Sequence, residues 1–295
     1  MTTSRGLTAP YIRTTYGQDP RVAANISFLK PDDTMLAPAM LVMLHGMGMA
    51  GSRQFEDFVS ACCGTSKDWL QKVFPKAAPR ESMPDVPCDR WFDMNSMPVR
   101  PHDEHNGLSE AVKVLHDILQ KAEVDGIPSS RIIVGGFSQG AVVALVAGLT
   151  YKTPVAGICM FSGWLPSVQL EEVRHWDTPI LMCHGSNDTL IPKSTADYSA
   201  QMLRDAGASS VEFTSLPNAK HEFGIAWHEE SLKRFVGNKL PSIQGREHTM
   251  SETTYASSDP SMDGASDEDD DVDDVQELPD VGVAETCTVE HCVLQ

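Results

Sequence analysis

Ser138 lies at the centre of the segment Gly-Phe-Ser-Gln-Gly, whose residue types and spacing could supply a nucleophile. A short β-branched run at 131–134 precedes the segment, and an apolar, helix-forming stretch at 139–150 follows it. A serine on a sharp strand-to-helix turn projects its hydroxyl above the sheet, and the helix start behind it favours developing negative charge. Gly136 and Gly140 leave room for such a turn. The pattern therefore predicts a nucleophilic Ser138.

Asp188 and His221 are the partners that we expect for this serine. A hydroxyl attacks only when a base takes its proton and an acid orients that base, and hydrolases with this turn carry the three in the order Ser, acid, His. Asp188 lies on a turn-rich loop after the apolar run 179–184, and His221 lies on the loop after the alternating run 211–216. The alternative role for Asp188 is that of a turn residue capping the following helix.

Chain order also separates His221 from the other histidines. Six of them precede or adjoin the acid and break the order: His45, His102, His105, His116, His175 and His184. His228 falls inside a helix that we predict at 222–236, while His248 and His291 lie in a low-complexity tail. His221 is therefore the predicted base.

A glycine-rich turn after another apolar run supplies donors for an oxyanion. The run 40–44 is followed by His-Gly-Met-Gly, in which Gly46 and Gly48 free the backbone so that its amides can point at the site. We expect the N–H groups of Met47 and of Gln139, which follows the nucleophile, to receive the oxyanion. The alternative is a plain strand-to-helix turn.

Seven motifs occur along the chain in one order. They are Leu-His-Gly-Met-Gly at 44–48, Pro-Lys-Ala-Ala-Pro at 75–79, Trp-Phe-Asp at 91–93, Gly-Ile-Pro-Ser-Ser-Arg-Ile-Ile at 126–133, Gly-Gly-Phe-Ser-Gln-Gly at 135–140, Ser-Gly-Trp-Leu-Pro at 162–166 and Cys-His-Gly-Ser-Asn-Asp at 183–188. Over residues 20–238 the chain thus resembles the acyl-protein thioesterase and carboxylesterase (phospholipase-carboxylesterase) branch of the α/β-hydrolase superfamily.

The resemblance implies an α/β-hydrolase fold and a serine hydrolase that cleaves carboxylic esters or thioesters through an acyl-enzyme. It implies the same roles for Ser138, Asp188 and His221 and places Met47 and Gln139 at the oxyanion hole. It also suggests that three aromatic residues lie near an acyl channel, although such residues are more often simply core: Trp91, Phe92 and Trp164.

Two departures from the family pattern bear on the substrate. Met49 stands where the family commonly has Asp, and Thr189 where it commonly has Pro. Neither change removes a catalytic group, but Met49 is expected to make the mouth of the site more apolar. Two alternatives stay open: an enzyme that tailors a small-molecule ester, thioester or lactone in a biosynthetic pathway, and a non-catalytic ligand-binding protein of this fold.

The negative charge is concentrated at the end of the chain. Residues 251–295 hold fourteen Asp and Glu and no Lys or Arg, out of a net charge of −18. Such a segment cannot bury enough apolar surface to order itself, so 241–295 is predicted to be an acidic disordered tail. Its charge repels nucleic acid and anionic lipid. Two roles stay open for the tail: to keep the protein soluble, or to dock a basic partner.

Composition and motifs limit the remaining classes of protein to which the chain could belong. The seven cysteines show neither metal-ligand pairing nor a disulfide-framework spacing and are expected to be reduced thiols. No cofactor motif appears, and the proposed chemistry needs no cofactor and no metal. The sequence has no apolar stretch of roughly 18 residues and no signal-peptide core at its start, which predicts a cytoplasmic protein. The resemblance implies a small-molecule or acylated substrate.

Cys292 begins the terminal sequence Cys-Val-Leu-Gln, which matches a farnesylation signal. Farnesylation would add a peripheral membrane contact, although one lipid chain binds only marginally and Glu290 would be repelled by an anionic membrane. An unmodified soluble tail and a prenylated one both stay open.

Alternating signals predict a mostly parallel central sheet with helices on both faces. Strands are expected near 22–29, 39–45, 69–75, 131–136, 155–161, 178–184 and 210–216, and helices near 53–65, 106–124, 138–150, 193–206 and 222–236. The predicted divisions are an N-terminal segment at 1–19, a catalytic domain at 20–240 and the tail at 241–295. The site then lies at the carboxyl ends of the strands.

Overall fold

The structure is a computed structural model. It describes residues 38–63, 69–77, 88–94, 96–100, 103, 105–167 and 172–241, together with the backbone of 12–15. The strand predicted at 22–29, His102, the acidic tail and Cys292 lie outside the described residues.

Seven strands within the described ranges form one sheet. They are β1 (Ile12–Thr15), β2 (Ala39–Leu44), β3 (Leu70–Lys76), β4 (Ile132–Phe137), β5 (Gly157–Phe161), β6 (Ile180–Gly185) and β7 (Val211–Leu216). Their order across the sheet is β1-β3-β2-β4-β5-β6-β7, and every neighbouring pair is parallel. The predicted parallel sheet is confirmed.

The described residues form five α-helices, of which the first four connect strands and the fifth follows β7: α1 (Arg53–Cys62), α2 (Leu108–Val124), α3 (Gln139–Thr150), α4 (Lys193–Asp205) and α5 (Ala226–Lys239). The prediction of a last helix beginning at residue 222 is wrong by four residues. Ile225 has an extended backbone, with φ −83° and ψ 155°, so α5 begins only after it and His221 stays on a loop. Within the described ranges, no helix combines the length and the apolar character that crossing a membrane requires.

Alternation along the central strand β2 separates two apolar layers. Met40, Val42 and Leu44 pack into a core cluster shared with α2, α3 and α4, whereas Leu41 and Met43 pack into a second cluster shared with α1 and α5. Successive side chains of a strand point to opposite faces, so these clusters lie on opposite sides of the sheet. Helices on both faces are thus confirmed.

The edge strand β1 is a feature that the sequence analysis did not predict. Residues 12–15 pair with β3, although they fall in the segment that was expected to precede the domain. A strand of four residues is too short to show a clear alternation. The domain boundary at residue 20 stays a prediction.

Candidate active site

Ser138 occupies a strained turn between β4 and α3. Its backbone has φ 53° and ψ −120°, a conformation that side-chain-bearing residues rarely adopt, and its N–H is held by the Phe161 carbonyl at 2.9 Å. A Cβ at Gly136 would collide with the backbone of Gly140, and a Cβ at Gly140 would collide with the Leu44 carbonyl. The two glycines therefore permit the close packing that holds Ser138 in this turn.

Three predicted side chains meet in one hydrogen-bonded chain. The Nε2 atom of His221 lies 3.0 Å from the hydroxyl of Ser138, and Nδ1 of His221 lies 2.7 Å from Oδ2 of Asp188. All three side chains are buried. Because a carboxylate only accepts, Nδ1 carries the proton of a neutral ring and Nε2 is free to accept from the serine. The structure thus brings together residues 33 and 83 positions apart in the chain.

Asp188 is fixed by its own loop. Its Oδ1 accepts hydrogen bonds from the N–H groups of Leu190, at 3.0 Å, and Ile191, at 2.8 Å, which leaves Oδ2 to face His221. The helix that follows begins at Lys193 after Pro192, so Asp188 does not cap it. The alternative of a helix-capping residue is therefore wrong, and the carboxylate instead closes a local turn.

His184, the residue before the end of β6, contacts the same carboxylate from another side. Its Nε2 lies 2.8 Å from the Ile191 carbonyl and 3.4 Å from Oδ2 of Asp188. Burial lowers the pKa of His184, partly offset by the Ile191 carbonyl and by Asp188, so the ring is neutral near pH 7. The expected order Ser, acid, His had excluded His184 as the base. The sequence feature that could have indicated this contact was the position of His184, four residues before Asp188.

The two predicted oxyanion donors lie at the carboxyl ends of neighbouring strands. After β2, the Met49 N–H bonds to the Gly46 carbonyl at 3.2 Å, closing a turn whose own hydrogen bond does not use the Met47 N–H. Gln139 is the first residue of α3, where a backbone N–H has no acceptor within the helix. The hydrogen bonds of the turn and of the helix therefore leave both N–H groups available to bind a ligand.

His45 braces this turn. Its Nδ1–H donates to the Gly46 carbonyl at 2.6 Å, its Nε2 accepts from the Ala77 N–H at 3.0 Å, and its carbonyl accepts from the Trp91 indole at 2.8 Å. Burial lowers the pKa of His45 to about 4, which keeps the ring neutral as these bonds require. Sequence reasoning missed this role, although a His-Gly pair directly follows β2 and another ends β6.

The side chain of Gln139 has a second role that the sequence analysis did not assign. Its Oε1 accepts from the Trp91 N–H at 3.1 Å, and its Nε2 donates to the Phe92 carbonyl at 3.0 Å. The buried amide thus ties the 91–92 segment to the residue beside the nucleophile. Replacing it would leave buried backbone groups unpaired.

The three aromatic residues predicted near an acyl channel are buried in the core. Trp91, Phe92 and Trp164 belong to the cluster on the α2 and α3 face. Phe92 stacks on His105 with ring centroids 4.9 Å apart, and the Trp164 indole donates to His105 at 2.9 Å. They support the loops around the site, and a role in lining an acyl channel stays a prediction.

Met49 differs from its expected position at the mouth of the site. It is buried in the second core cluster, with its sulfur beside Gly46. A methionine fills an irregular gap more readily than an aspartate would, so Met49 packs beneath the turn instead of facing solvent. Thr189, the other departure from the family pattern, is exposed.

The cysteines that the structure describes are all free thiols: Cys62, Cys63, Cys88, Cys159 and Cys183. Burial raises the pKa of Cys183 to about 11 and that of Cys62 to about 12. A thiol that stays protonated is a poor nucleophile. Cys62 and Cys183 therefore do not compete with Ser138.

His228 on α5 is a buried imidazole without a hydrogen-bond partner among the described residues. It packs between Phe161 and Phe223, with ring centroids 5.0 and 5.5 Å away. Burial, with a smaller contribution from neighbouring His184, lowers the pKa of His228 to about 3. An unpaired buried polar group costs free energy, so this position is a stability defect.

We expect His228→Phe to raise the melting temperature, and the gain to grow as the pH falls from 7 to 5. Between the unfolded pKa near 6.5 and the folded value of about 3, only the unfolded wild-type chain binds the proton. Wild-type stability is therefore lost as the pH falls below 6.5, by about 2 kcal/mol at pH 5. Thermal unfolding of both proteins at pH 7 and pH 5 measures this; an equal difference at the two pH values would contradict it.

A sequence model of the phospholipase/carboxylesterase family matches residues 32–230. The chain belongs to this family. The resemblance predicted from the motifs is thereby confirmed, and the matched range contains Ser138, Asp188 and His221.

Two named relatives indicate which members of the phospholipase/carboxylesterase family the chain resembles. A protein of Oryza sativa named as a probable carboxylesterase is 31% identical over 223 residues, covering 71% of this chain and 81% of that one. Acyl-protein thioesterase 1 of Schizosaccharomyces pombe is 33% identical over 178 residues, covering 56% of this chain and 75% of its own length. This family member is thus a hydrolase similar to carboxylesterases and acyl-protein thioesterases.

Solved structures confirm the α/β-hydrolase fold. SOBER1 of Arabidopsis thaliana superposes with a TM-score of 0.63 at 23% identity, covering 69% of this chain and 100% of that one. Acyl-protein thioesterase 2 of Zea mays superposes with a TM-score of 0.58 at 22% identity, covering 71% of this chain and 97% of that one. At this identity the likeness establishes the fold alone.

Proposed function

We propose that this phospholipase/carboxylesterase family member is a serine hydrolase that cleaves carboxylic esters or thioesters through an acyl-enzyme. The observation that carries the proposal is the hydrogen-bonded chain from the Ser138 hydroxyl through His221 to Asp188. Its members are buried and held by strands of one sheet, so their relative positions are set before a substrate arrives.

In the first half of the reaction the Ser138 oxygen attacks the carbonyl carbon while His221 Nε2 takes the hydroxyl proton. The N–H groups of Met47 and Gln139 receive the negative charge that develops on the carbonyl oxygen. His221 then returns the proton to the departing alcohol or thiol, leaving the acyl group on Ser138. Asp188 stabilises the imidazolium that exists between these two transfers.

In the second half a water molecule takes the place of the leaving group. His221 removes a proton from this water, the resulting hydroxide attacks the acyl carbonyl, and the same two amides again receive the oxyanion. The proton then passes to the Ser138 oxygen as the carboxylic acid departs. The cycle restores the neutral His221 ring with its proton on Nδ1.

Labelling with a fluorophosphonate tests the nucleophile, because this reagent reacts only with an activated serine. Ser162 is a matched control: it directly follows β5 as Ser138 follows β4, is buried, and also has a positive φ, of 49°. Its hydroxyl, however, has no hydrogen-bond partner in the part of the chain that the structure describes. We expect labelling of wild type and Ser162→Ala and none of Ser138→Ala. Labelling that survives Ser138→Ala would overturn the proposal.

Activity should fall at acid pH. A histidine base must be neutral to accept a proton, so kcat/KM for an ester should decline as the pH falls from 8 to 5. The measurement is a kcat/KM profile from pH 5 to 8 with a short p-nitrophenyl ester, with circular dichroism at each pH to confirm folding. A flat profile would argue against a histidine base.

We further propose that residues 20–240 form the catalytic domain of a cytoplasmic enzyme, to which β1 adds an edge strand, and that the acidic tail takes no part in the chemistry. Deletion of 251–295 should change kcat for a small ester by less than about tenfold, because its composition offers little apolar surface to pack on the domain. Steady-state kinetics of the truncated and full chains test this. A larger loss would place part of the tail in the site.

A further inference from the structure

The carboxylate of Asp188 accepts three hydrogen bonds and contacts a second imidazole. Two backbone N–H groups, from Leu190 and Ile191, hold Oδ1. Oδ2 faces two imidazoles at once, Nδ1 of His221 at 2.7 Å and Nε2 of His184 at 3.4 Å. A catalytic triad requires only the His221 ring, so the contact with His184 needs a separate explanation.

We propose that His184 is a positioning residue of the active site, whose Nε2–H dipole, 3.4 Å from Oδ2, stabilises negative charge on the Asp188 oxygen that binds His221. The inference rests on the proposed function, because it gives His184 its effect through Asp188 and His221. His184 itself does not reach the reacting atoms. It lies within β6, one residue before the end of the strand, which makes it a rigid support.

The proton of His184 must lie on Nε2. Both groups within reach of this nitrogen, the Ile191 carbonyl at 2.8 Å and the Asp188 carboxylate, can only accept a hydrogen bond. Burial lowers the pKa of His184, so the neutral ring has one proton to give. The Ile191 carbonyl accepts this hydrogen bond, and Oδ2 of Asp188, at 3.4 Å, is close enough for electrostatic attraction to the N–H but is not hydrogen-bonded to it.

The charged and titratable groups around His184 come from four elements. Asp188 and His221 lie on the loops after β6 and β7, His228 lies on α5, and Asp197 lies on α4. Asp197 is paired with Lys193 at 2.7 Å, which offsets its charge, and burial keeps His228 neutral. Asp188 is therefore the charged group that His184 affects most directly.

The direction of a pH shift separates this role from simple packing. Without the Nε2–H dipole to offset its negative charge, Oδ2 stabilises the His221 imidazolium more strongly, so the base stays protonated to higher pH. The acid limb of the kcat/KM profile, which is the range where protonation of the base lowers activity, then moves to higher pH. If His184 only filled space, its loss would leave the limb in place; if its loss released Asp188 from His221, the limb would move downward.

The test compares kcat/KM profiles of His184→Phe and His184→Gln with wild type. Phenylalanine removes the donor, and we expect the acid limb to rise by about half a pH unit or more. Glutamine places an N–H near the former Nε2 and should restore the limb. His228→Phe is the matched control, because it replaces a neighbouring buried imidazole without touching Asp188, and its limb should equal that of wild type.

Three results would overturn the proposal: an unmoved limb in His184→Phe, a downward shift, or the same upward shift in His184→Gln. His184→Leu replaces the phenylalanine variant should that one not fold. A second measurement needs no variant, since nitrogen NMR of histidine-labelled wild type should find the His184 proton on Nε2 at pH 8, and a proton on Nδ1 would contradict the assignment. If the fluorophosphonate did not label wild-type protein, the proposed function would be wrong. The NMR measurement would still show which nitrogen of His184 carries the proton.

Discussion

Replacing Ser138 by alanine should lower turnover of a p-nitrophenyl ester by a factor of about 10⁴ to 10⁶. Alanine keeps the Cβ and removes only the oxygen that bonds to His221, so the remaining site can bind substrate and polarise its carbonyl but cannot form the acyl-enzyme. The residual rate should be that of water attack assisted by the oxyanion donors.

Steady-state kinetics of purified Ser138→Ala measure this loss, and thermal unfolding checks that the fold persists. Ser162→Ala is the control, because it removes a buried hydroxyl at the corresponding position of the next strand. It should retain kcat within a few-fold of wild type. A Ser138→Ala enzyme with more than about one per cent of wild-type kcat would mean that another group is the nucleophile.

Asp188→Asn should lower kcat by a factor of about 10³ to 10⁴. The asparagine oxygen would keep the bonds from Leu190 and Ile191, which turns its NH₂ group toward Nδ1 of His221. Two donors cannot face each other, so the His221 ring would change tautomer and present Nε2–H to Ser138. A ring in that form cannot take the serine proton.

The measurement is kcat at pH 8, where the loss of a general base is not masked by protonation. Asp197→Asn is the control, since this carboxylate on α4 is solvent-accessible and pairs with Lys193. It should leave kcat unchanged. Near-normal activity of Asp188→Asn, together with inactivation by a change at another acidic residue, would show that the acid has been wrongly assigned.

The arrangement of Ser138, Asp188 and His221 could be predicted because it depends on local signals and chain order. Each residue lies on a turn or loop after a run that the sequence predicts to be a strand, and parallel strands bring the loops at their carboxyl ends to one edge of the sheet. The strands and helices that were predicted within the described residues lie close to their expected bounds, apart from the late start of α5. Periodicity and turn chemistry were enough for this level of detail.

Contacts between residues far apart in the chain could not be obtained in this way. His45 was eliminated as a base by its position, yet its ring and carbonyl join the turn after β2 to Ala77 and Trp91. Met49 was expected at the mouth of the site and packs beneath the turn instead. Hydrophobic pattern tells which side chains are apolar, but it does not tell which gap each one fills.

Residue chemistry and order along the chain were thus sufficient for the family, the parallel α/β sheet and the expected nucleophile, base and acid. The support around them was decided only in three dimensions: the Gln139 amide bonded to Trp91 and Phe92, and His184 against Asp188. The physical reason is that these contacts depend on how a loop folds back and which buried polar groups then need partners. That requirement leaves no periodic trace in the sequence.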